Sequence, residues 1–335
     1  MMLAAWRTLA VPVRLCRESA EAKVVLALRI LRISWLLLLA ILLGFAPARA
    51  QEESEEEVSP LVRRGIELFG LGLAGEAIAV LEQAVAEDAD AAPAFNALGV
   101  IYSRQGRFER AIECFDRAIE LRQPYFKAIY NRLHLLVSQG RTEEALGMIE
   151  GVVERYPDHS DGWINRGVLL GQLGRVDEAL ESLDRAIELN ADDYDAHLKK
   201  GQLLVLNRRY EEALVCFRRA LEIAPDYQPA ASAIEVVEDI MEKKRQGYIR
   251  VRHILVPDEG VARRLLGDLL SGADFAELAN HYSADSSARF GGDLGFIRRG
   301  ELIEVLEEAM FSLEVGQVSG IVRTPRGFHI FKREE

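Results

Sequence analysis

The sequence contains 335 residues, enough for two or three domains, of which 49% are hydrophobic and 28% charged. This composition is typical of a soluble globular protein and excludes intrinsic disorder as the main state of the chain. The formal net charge of −12 argues against a nucleic-acid partner, because binding to phosphates needs a basic surface.

The first 50 residues have the layout of a secretory signal peptide. Basic residues up to Arg32 precede an apolar run at residues 33–46, and small residues end the segment at Ala50. The alternative is an uncleaved membrane anchor, although Arg29 and Arg32 keep the run below the about 20 residues that a span needs. We expect export to a bacterial periplasm, with membrane attachment only if the segment stays uncleaved. Residues 51–57, QEESEEE, are interpreted as a solvated acidic spacer, with calcium binding as the alternative.

A periodicity of 34 residues follows in residues 58–227. One column of small residues consists of Ala77, Ala111, Ala145, Ala179 and Ala213. A second column consists of Gly65, Gly99, Leu133, Gly167 and Gly201, and a third of Ala84, Ala118, Val152, Ala186 and Ala220. Small residues at a fixed spacing indicate helices that approach closely, and further glycines at Gly72, Gly106, Gly140 and Gly174 fit the turns between them.

These columns are similar to five tetratricopeptide repeats. The resemblance implies an all-α solenoid of paired helices over residues 58–227, followed by a capping helix and linker at residues 228–247. The third repeat departs from the pattern at Leu133 and Val152, which predicts looser local packing without loss of the fold.

Such repeats present a groove lined by the first helix of each pair. The register of the columns predicts five groove residues, namely Phe69, Asn96, Tyr130, Ile164 and Leu198. This set is more apolar than basic, so we expect the groove to bind a protein partner through an apolar or extended segment. A purely structural scaffold is the alternative.

Cys114 and Cys216 occupy the same column three repeats apart. Equivalent positions at that spacing are separated by far more than the roughly 7 Å that a disulfide allows. We therefore expect two buried, inert thiols, and the same distance excludes a metal site formed by the pair.

The last ninety residues have a different pattern. YIRVRHILVP (248–257) has branched residues on both faces, which predicts a central strand of a sheet. Helical stretches follow at residues 261–272 and 273–283, the second beginning with the capping pair Asp274 and Glu277. LIEVLEEAMFSL (302–313) predicts a further helix, and two short strands flank a turn at residues 325–327.

A glycine-rich stretch at residues 284–302, ADSSARFGGDLGFIRRGEL, has three further interpretations. It lacks the lysine and the spacing of a phosphate-binding P-loop, and it lacks the G-x-G-x-x-G order of a dinucleotide site. Asp285 and Asp293 are eight positions apart with arginine and phenylalanine between them, which does not suit a calcium loop.

Four segments in order, RHILV, YSADSSARFGGDLG, AMFSLEVGQVSGIV and TPRGFHIF, resemble the parvulin-type peptidyl-prolyl cis/trans isomerases. The resemblance covers residues 248–335 and implies a small α+β domain whose four-stranded antiparallel sheet has its first and last strands adjacent in the middle. It further implies a hydrogen-bonded pair of His253 and His329 in the floor of the site, Asp285 in its wall, and a hydroxyl from Thr324.

The same resemblance assigns the proline-binding slot to Leu302, Leu306 and Phe311. Most family members have methionine and phenylalanine where this chain has the two leucines, so ring stacking is lost and activity could be lower. The loop PDEG (257–260) lacks the basic cluster of phosphate-requiring members, so no phosphate specificity is expected.

We predict a multidomain chain in which the repeats recruit a client or partner and the last domain isomerises X-Pro bonds in exported, proline-containing polypeptides. The reaction requires no covalent intermediate, cofactor or metal. The alternatives are a non-catalytic holdase chaperone and an assembly scaffold built from the same domains.

Overall fold

The computed structural model describes residues 58–335. The predicted signal peptide or anchor (1–50) and the acidic spacer (51–57) lie outside the described residues. Between residues 58 and 335, no helix is both long enough and apolar enough to cross a bilayer. The described chain divides into two compact units between Ile234 and Glu235.

The first unit is an all-α array, as predicted. Its helices are α1 (Pro60–Gly70), α2 (Ala74–Glu87), α3 (Ala92–Arg104), α4 (Phe108–Leu121), α5 (Phe126–Ser138), α6 (Thr142–Arg155), α7 (Ser160–Gln172), α8 (Val176–Leu189), α9 (Tyr194–Leu206) and α10 (Tyr210–Ile223). Helix α11 (Gln228–Arg245) contains the division between the two units.

The glycine column marks the closest approach of paired helices. A Cβ atom on Gly201 would lie 2.4 Å from the Phe217 ring, and one on Gly99 would lie 2.6 Å from Phe115. In the third repeat Leu133 is fully buried, whereas Val152 lines a cavity of about 710 Å³. The looser packing of that repeat stays a prediction.

The turns within the pairs need a left-handed residue. Gly72, Gly106, Gly140 and Gly174 all have φ between 73° and 81°. Glycine adopts this conformation without the steric cost that a Cβ atom brings. In the fifth repeat the equivalent residue is Arg208, with φ 60°.

The two cysteines are free thiols, as expected, but they differ in burial. Cys216 is buried, whereas Cys114 is only half-buried, which corrects the prediction that both thiols are buried. Desolvation and the nearby Glu113 still raise the pKa of Cys114 to about 11, so its reactive thiolate form is scarce at neutral pH.

The second unit contains a sheet and short helices. In chain order these are β1 (Ile249–Val256), α12 (Glu259–Leu270), α13 (Phe275–Tyr282), β2 (Asp293–Ile297), α14 (Glu304–Phe311), β3 (Val322–Thr324) and β4 (Gly327–Arg333). Helix α13 begins as predicted, since the Asp274 side chain accepts a hydrogen bond from the Glu277 backbone N–H at 2.8 Å.

The four strands form an antiparallel sheet in the order β2-β1-β4-β3. The predicted central position of the first strand and its pairing with the last are therefore confirmed. One face packs Ile254 and Ile330 against Leu265 and Phe275 of α12 and α13. The opposite face carries Val251 and Phe331, which pack against residues of α14. The candidate site lies on this second face.

Candidate active site

His253 on β1 and His329 on β4 meet on one face of the sheet. In the register His253 lies opposite Phe331, and His329 is two positions away on the same strand, so all three side chains share that face. The histidine rings are stacked at 5.0 Å, and His253 Nε2 lies 2.8 Å from His329 Nδ1. Thr324 Oγ1 lies 2.7 Å from His329 Nε2, and Asp285 Oδ1 lies 3.9 Å from His253 Nδ1. The structure thus brings together all four residues predicted for catalysis.

One arrangement of protons satisfies this chain of groups. The Arg326 backbone N–H donates to Thr324 Oγ1 at 3.1 Å, which leaves the threonine hydroxyl to donate to His329 Nε2. His329 then carries its proton on Nδ1 and donates to His253 Nε2. His253 in turn points Nδ1–H at the Asp285 carboxylate, whereas the opposite tautomer would point a lone pair at an anion. We therefore assign two neutral histidines of defined tautomer.

Burial keeps both imidazoles neutral. Desolvation lowers the pKa of His253 to about 4, although the charge of Asp285 partly opposes this. Desolvation also lowers the pKa of His329, and the positive charge of Arg326 adds to the effect. A neutral pair can keep the hydrogen-bond chain intact at neutral pH.

Asp285 is held as an anion beside this pair. Its Oδ1 accepts the Ser287 backbone N–H at 2.8 Å. Burial alone would raise the pKa of Asp285, but hydrogen bonding from Ser287 and the positive charge of Arg326 hold it below its usual value. The site therefore places a half-buried negative charge next to a neutral hydrogen-bond network.

The wall that carries Asp285 is anchored to β1. Ser283 Oγ accepts the backbone N–H groups of Leu255 at 3.0 Å and Asp285 at 3.3 Å. Gly292 has φ 78° and its carbonyl accepts the His253 backbone N–H at 2.8 Å. A Cβ atom there would lie 2.3 Å from the His253 carbonyl oxygen, so the approach requires glycine.

Asp293, the second aspartate of the glycine-rich stretch, has a different role. It forms an ion pair with Arg250 across β1 and β2. Burial would raise the pKa of Asp293, but the hydrogen bond and charge of Arg250 outweigh this and lower it. Asp293 therefore ties the β2 edge to the centre of the sheet.

The predicted proline slot is brought together only in part. Leu306 and Phe311, both half-buried, pack against the cluster that contains Phe331. Leu302 lies in the loop before α14 with 39% of its surface exposed, outside that cluster. The Arg299 guanidinium lies 4.6 Å above the centre of the Phe311 ring.

Glu307 is a residue near the slot that the sequence did not reveal. From α14 its Oε1 accepts the backbone N–H groups of Gly300 at 2.6 Å and Leu302 at 3.0 Å, which fixes the loop carrying Leu302. Hydrogen bonds from these amides lower the pKa of Glu307. Its position three residues into a helix is the signal that could have indicated a bond to the preceding loop.

The predicted groove residues of the repeats require a correction. Four of them have 5% or less of their surface exposed, namely Asn96, Tyr130, Ile164 and Leu198, and only Phe69 is half-buried. Neighbouring helices cover them, as in the hydrogen bond from Asn131 Nδ2 to Asn96 Oδ1 at 2.9 Å between α5 and α3. Side chains packed in this way are part of the interior and do not form an open peptide-binding surface.

Comparison with known families agrees with both halves of this architecture. The profile of the rotamase family, described as a PPIC-type PPIASE domain, matches residues 259–335. Tetratricopeptide-repeat profiles match residues 92–124, 130–189 and 166–227. The chain thus carries tetratricopeptide repeats within residues 92–227 and a domain of the PpiC-type peptidyl-prolyl isomerase family at residues 259–335.

Individual proteins resemble part of the chain. Foldase protein PrsA of Geobacillus kaustophilus is 42% identical over 107 residues, which cover 31% of this chain and 38% of that protein. Chaperone SurA of Methylobacillus flagellatus is 43% identical over 91 residues, which cover 24% of this chain and 21% of that protein. The chain thus spans less than two fifths of the length of these relatives. A solved PpiC-type peptidyl-prolyl cis-trans isomerase domain is 29% identical, with 26% of this chain and 89% of that chain covered and a TM-score of 0.25.

Proposed function

We propose that residues 248–335 catalyse cis/trans isomerisation of X-Pro bonds in extended polypeptides and so assist protein folding. The observation that carries this proposal is the chain from Asp285 through His253 and His329 to Thr324, on the sheet face that also carries the apolar cluster of Phe331. The foldase and chaperone names of the relatives support a folding role.

The chemistry proposed for this site needs no covalent step. Rotation about an X-Pro bond has a barrier of about 20 kcal/mol, and the site has to bind the twisted amide better than either planar form. Leu306 and Phe311 would hold the proline ring away from water, which otherwise stabilises the planar, charge-separated amide. Asp285 would act on the turning carbonyl through its charge, with the neutral histidine pair fixing its surroundings.

For the repeats we propose binding of a client or partner protein. The cavity of about 710 Å³ in the third repeat is lined by Ile119, Tyr125, Ile129, Met148, Val152 and Tyr156 among others. It offers more room for a partner's side chain than the four buried groove positions do. The predicted signal sequence leads us to propose that the protein is exported to the bacterial periplasm. There it would act on proline-containing clients.

A non-catalytic holdase is the second candidate, and the slot residues favour it. Leu302 is 39% exposed and Leu306 offers no ring for stacking on proline. Such a site would bind extended apolar peptide without accelerating rotation.

An isomerisation assay without protease, on a fluorescent X-Pro tetrapeptide, tests the proposal. We expect the whole chain to accelerate cis/trans isomerisation of the peptide. Asp285→Ala should lower kcat/KM at least about tenfold, because it removes the negative charge next to the reacting carbonyl. His253→Ala should lower it as well, with circular dichroism used to confirm folding. Ser286→Ala, an exposed neighbour, is the matched control. The holdase would be favoured if the wild type and the variants all show only background isomerisation but still bind the peptide.

A further inference from the structure

Two arginines lie at the candidate site without an acidic partner. Arg326 occupies the turn between β3 and β4, two residues from Thr324, and Arg299 covers the Phe311 ring at 4.6 Å. Both side chains are exposed. Among residues 58–335, no carboxylate lies within ion-pair distance of either guanidinium. Their charges are therefore available to a ligand.

The carboxylates at the site are already engaged by backbone amides. Asp285 accepts the Ser287 N–H, and Glu307 accepts the N–H groups of Gly300 and Leu302. Backbone donors stabilise the negative charge of both groups, and the charges of Arg326 and Arg299 add to this from beyond ion-pair distance by lowering the pKa of Asp285 and of Glu307 respectively. The two histidines are neutral and offset no positive charge.

The field of Arg326 reaches the centre of the site. Its charge contributes to lowering the pKa of Asp285, His253 and His329. The Arg326 backbone N–H donates to Thr324 Oγ1, so the exposed arginine side chain begins next to the hydrogen-bond chain. An anionic group bound close to this chain would be attracted to it.

We propose that Arg326, assisted by Arg299, selects substrates with a carboxylate side chain next to proline, such as Glu-Pro or Asp-Pro segments. This inference rests on the proposed function and names its substrate class. A guanidinium at the rim of a site pairs with a carboxylate in a solvent-accessible setting, where such pairs contribute a modest free energy. The expected preference is therefore about two- to fivefold for each arginine.

The test compares matched peptides that differ only before proline: Glu, Gln, Lys and phosphoserine. For the whole wild-type chain at low salt, kcat/KM for the Glu peptide should exceed that for the Gln peptide several-fold. Arg326→Gln should reduce this ratio, and Arg326→Glu should reverse it so that the Lys peptide is preferred. The wild-type ratio should also shrink at about 0.5 M salt, because screening weakens exposed pairs.

Arg323→Gln is the matched control. This residue is exposed and pairs with Phe328, whose side chain packs on the opposite face of the sheet. Arg323→Gln removes the same charge from the same hairpin. The ratio of kcat/KM for the Glu peptide to that for the Gln peptide should therefore stay at the wild-type value. A wild-type ratio near one, or a ratio that survives Arg326→Gln, would overturn the proposal. A third outcome is a kcat/KM for the phosphoserine peptide more than tenfold above that for the Glu peptide, with equal values for the Glu and Gln peptides. This result would overturn carboxylate selection in favour of phosphate recognition.

Failure of the proposed function is distinguishable in the same experiment. Fluorescence anisotropy of the labelled peptides measures Kd independently of catalysis. If no peptide is isomerised, the proposed function fails, while the ratio of Kd values for Glu and Gln peptides still decides whether Arg326 selects carboxylates.

Discussion

At the scale of single residues, the candidate site depends on groups that keep one protonation state. His253 and His329 are neutral because they are buried, and Asp285 is charged because Ser287 and the surrounding positive charge stabilise it. This combination allows the proton arrangement from Arg326 N–H to Asp285 to persist across neutral pH.

The depressed pKa of His253 predicts acid destabilisation of the sheet. An unfolded histidine titrates near 6.5 and the folded one near 4, so the unfolded state binds more protons between these values. The contribution of His253 to the free energy of unfolding is fully present above about pH 6.5 and is lost as the pH falls toward 4. The loss between pH 7 and pH 5 is on the order of 2 kcal/mol. Hydrogen exchange of the β1 and β4 amides measures this loss.

His253→Gln is the control for that measurement, because glutamine can hydrogen-bond without titrating. The array histidines His134 and His159 also have lowered pKa values, so the difference between wild type and variant isolates the sheet. An identical pH dependence in the two proteins would contradict the assignment of a neutral, buried His253.

Because Leu302 is exposed, its substitution should test substrate binding with little effect on the stability of the fold. Leu302→Ser removes apolar surface at the predicted slot, and we expect kcat/KM to fall about two- to tenfold with little change in the unfolding free energy. Ile303→Ser, at a position with 56% exposure, should change neither quantity. Equal losses of activity in both variants would argue that Leu302 has no specific role.

The residues of the site were predictable where a periodic pattern or a family motif carried them. His253 and His329 lie in the motifs RHILV and TPRGFHIF, and Asp285 and Thr324 also fall in matched motifs. Glu307 and Arg326 could not be found in this way, because Glu307 acts on backbone amides of a loop and Arg326 acts through space. Burial of Tyr130 and Ile164 was missed because the register fixes a helix face but not how closely the next helix covers it.

At the scale of elements, each repeat depends on small residues at two places. One is the left-handed turn within the helix pair, and the other is the contact of the first helix with a large side chain of the second. The 34-residue columns made both predictable. The cavity in the third repeat was only indicated by Leu133 and Val152, because its size depends on how far the helices separate.

Arg208→Gly tests the turn. Arg208 adopts φ 60°, where a Cβ atom costs roughly 1–2 kcal/mol. Glycine removes this steric cost, but its greater backbone entropy in the unfolded chain offsets part of the stabilisation. We expect a net stabilisation of roughly 0.5–1 kcal/mol in urea unfolding. The reciprocal change Gly174→Arg, at φ 75° with open space around its Cβ position, should destabilise the array by a similar amount. A loss of stability on Arg208→Gly would contradict the account.

Gly201→Ala tests the helix contact. The added methyl group would lie 2.4 Å from the Phe217 ring, so we expect a destabilisation of about 1–3 kcal/mol from overpacking. Gly147→Ala is the control, since its Cβ position is open and the substitution should stabilise the helix by roughly 0.5–1 kcal/mol. The melting temperature followed at Trp163 reports on both variants.

At the scale of the whole molecule, two units of different type share one acidic chain. The repeats carry a cavity of about 710 Å³, and the C-terminal unit carries the hydrogen-bond chain on its sheet. The division between the units, at Ile234 and Glu235, falls within helix α11, in the segment 228–247 that the sequence predicts as capping helix and linker.

Exchange NMR measures directly whether the site on β1 and β4 accelerates rotation about X-Pro bonds. With the whole chain at a catalytic concentration, cis and trans signals of a Glu-Pro peptide should show exchange cross peaks that are absent without protein. These cross peaks should weaken strongly with Asp285→Ala. Peptide signals that broaden on binding without any cis/trans exchange would contradict the claim and leave a binding protein.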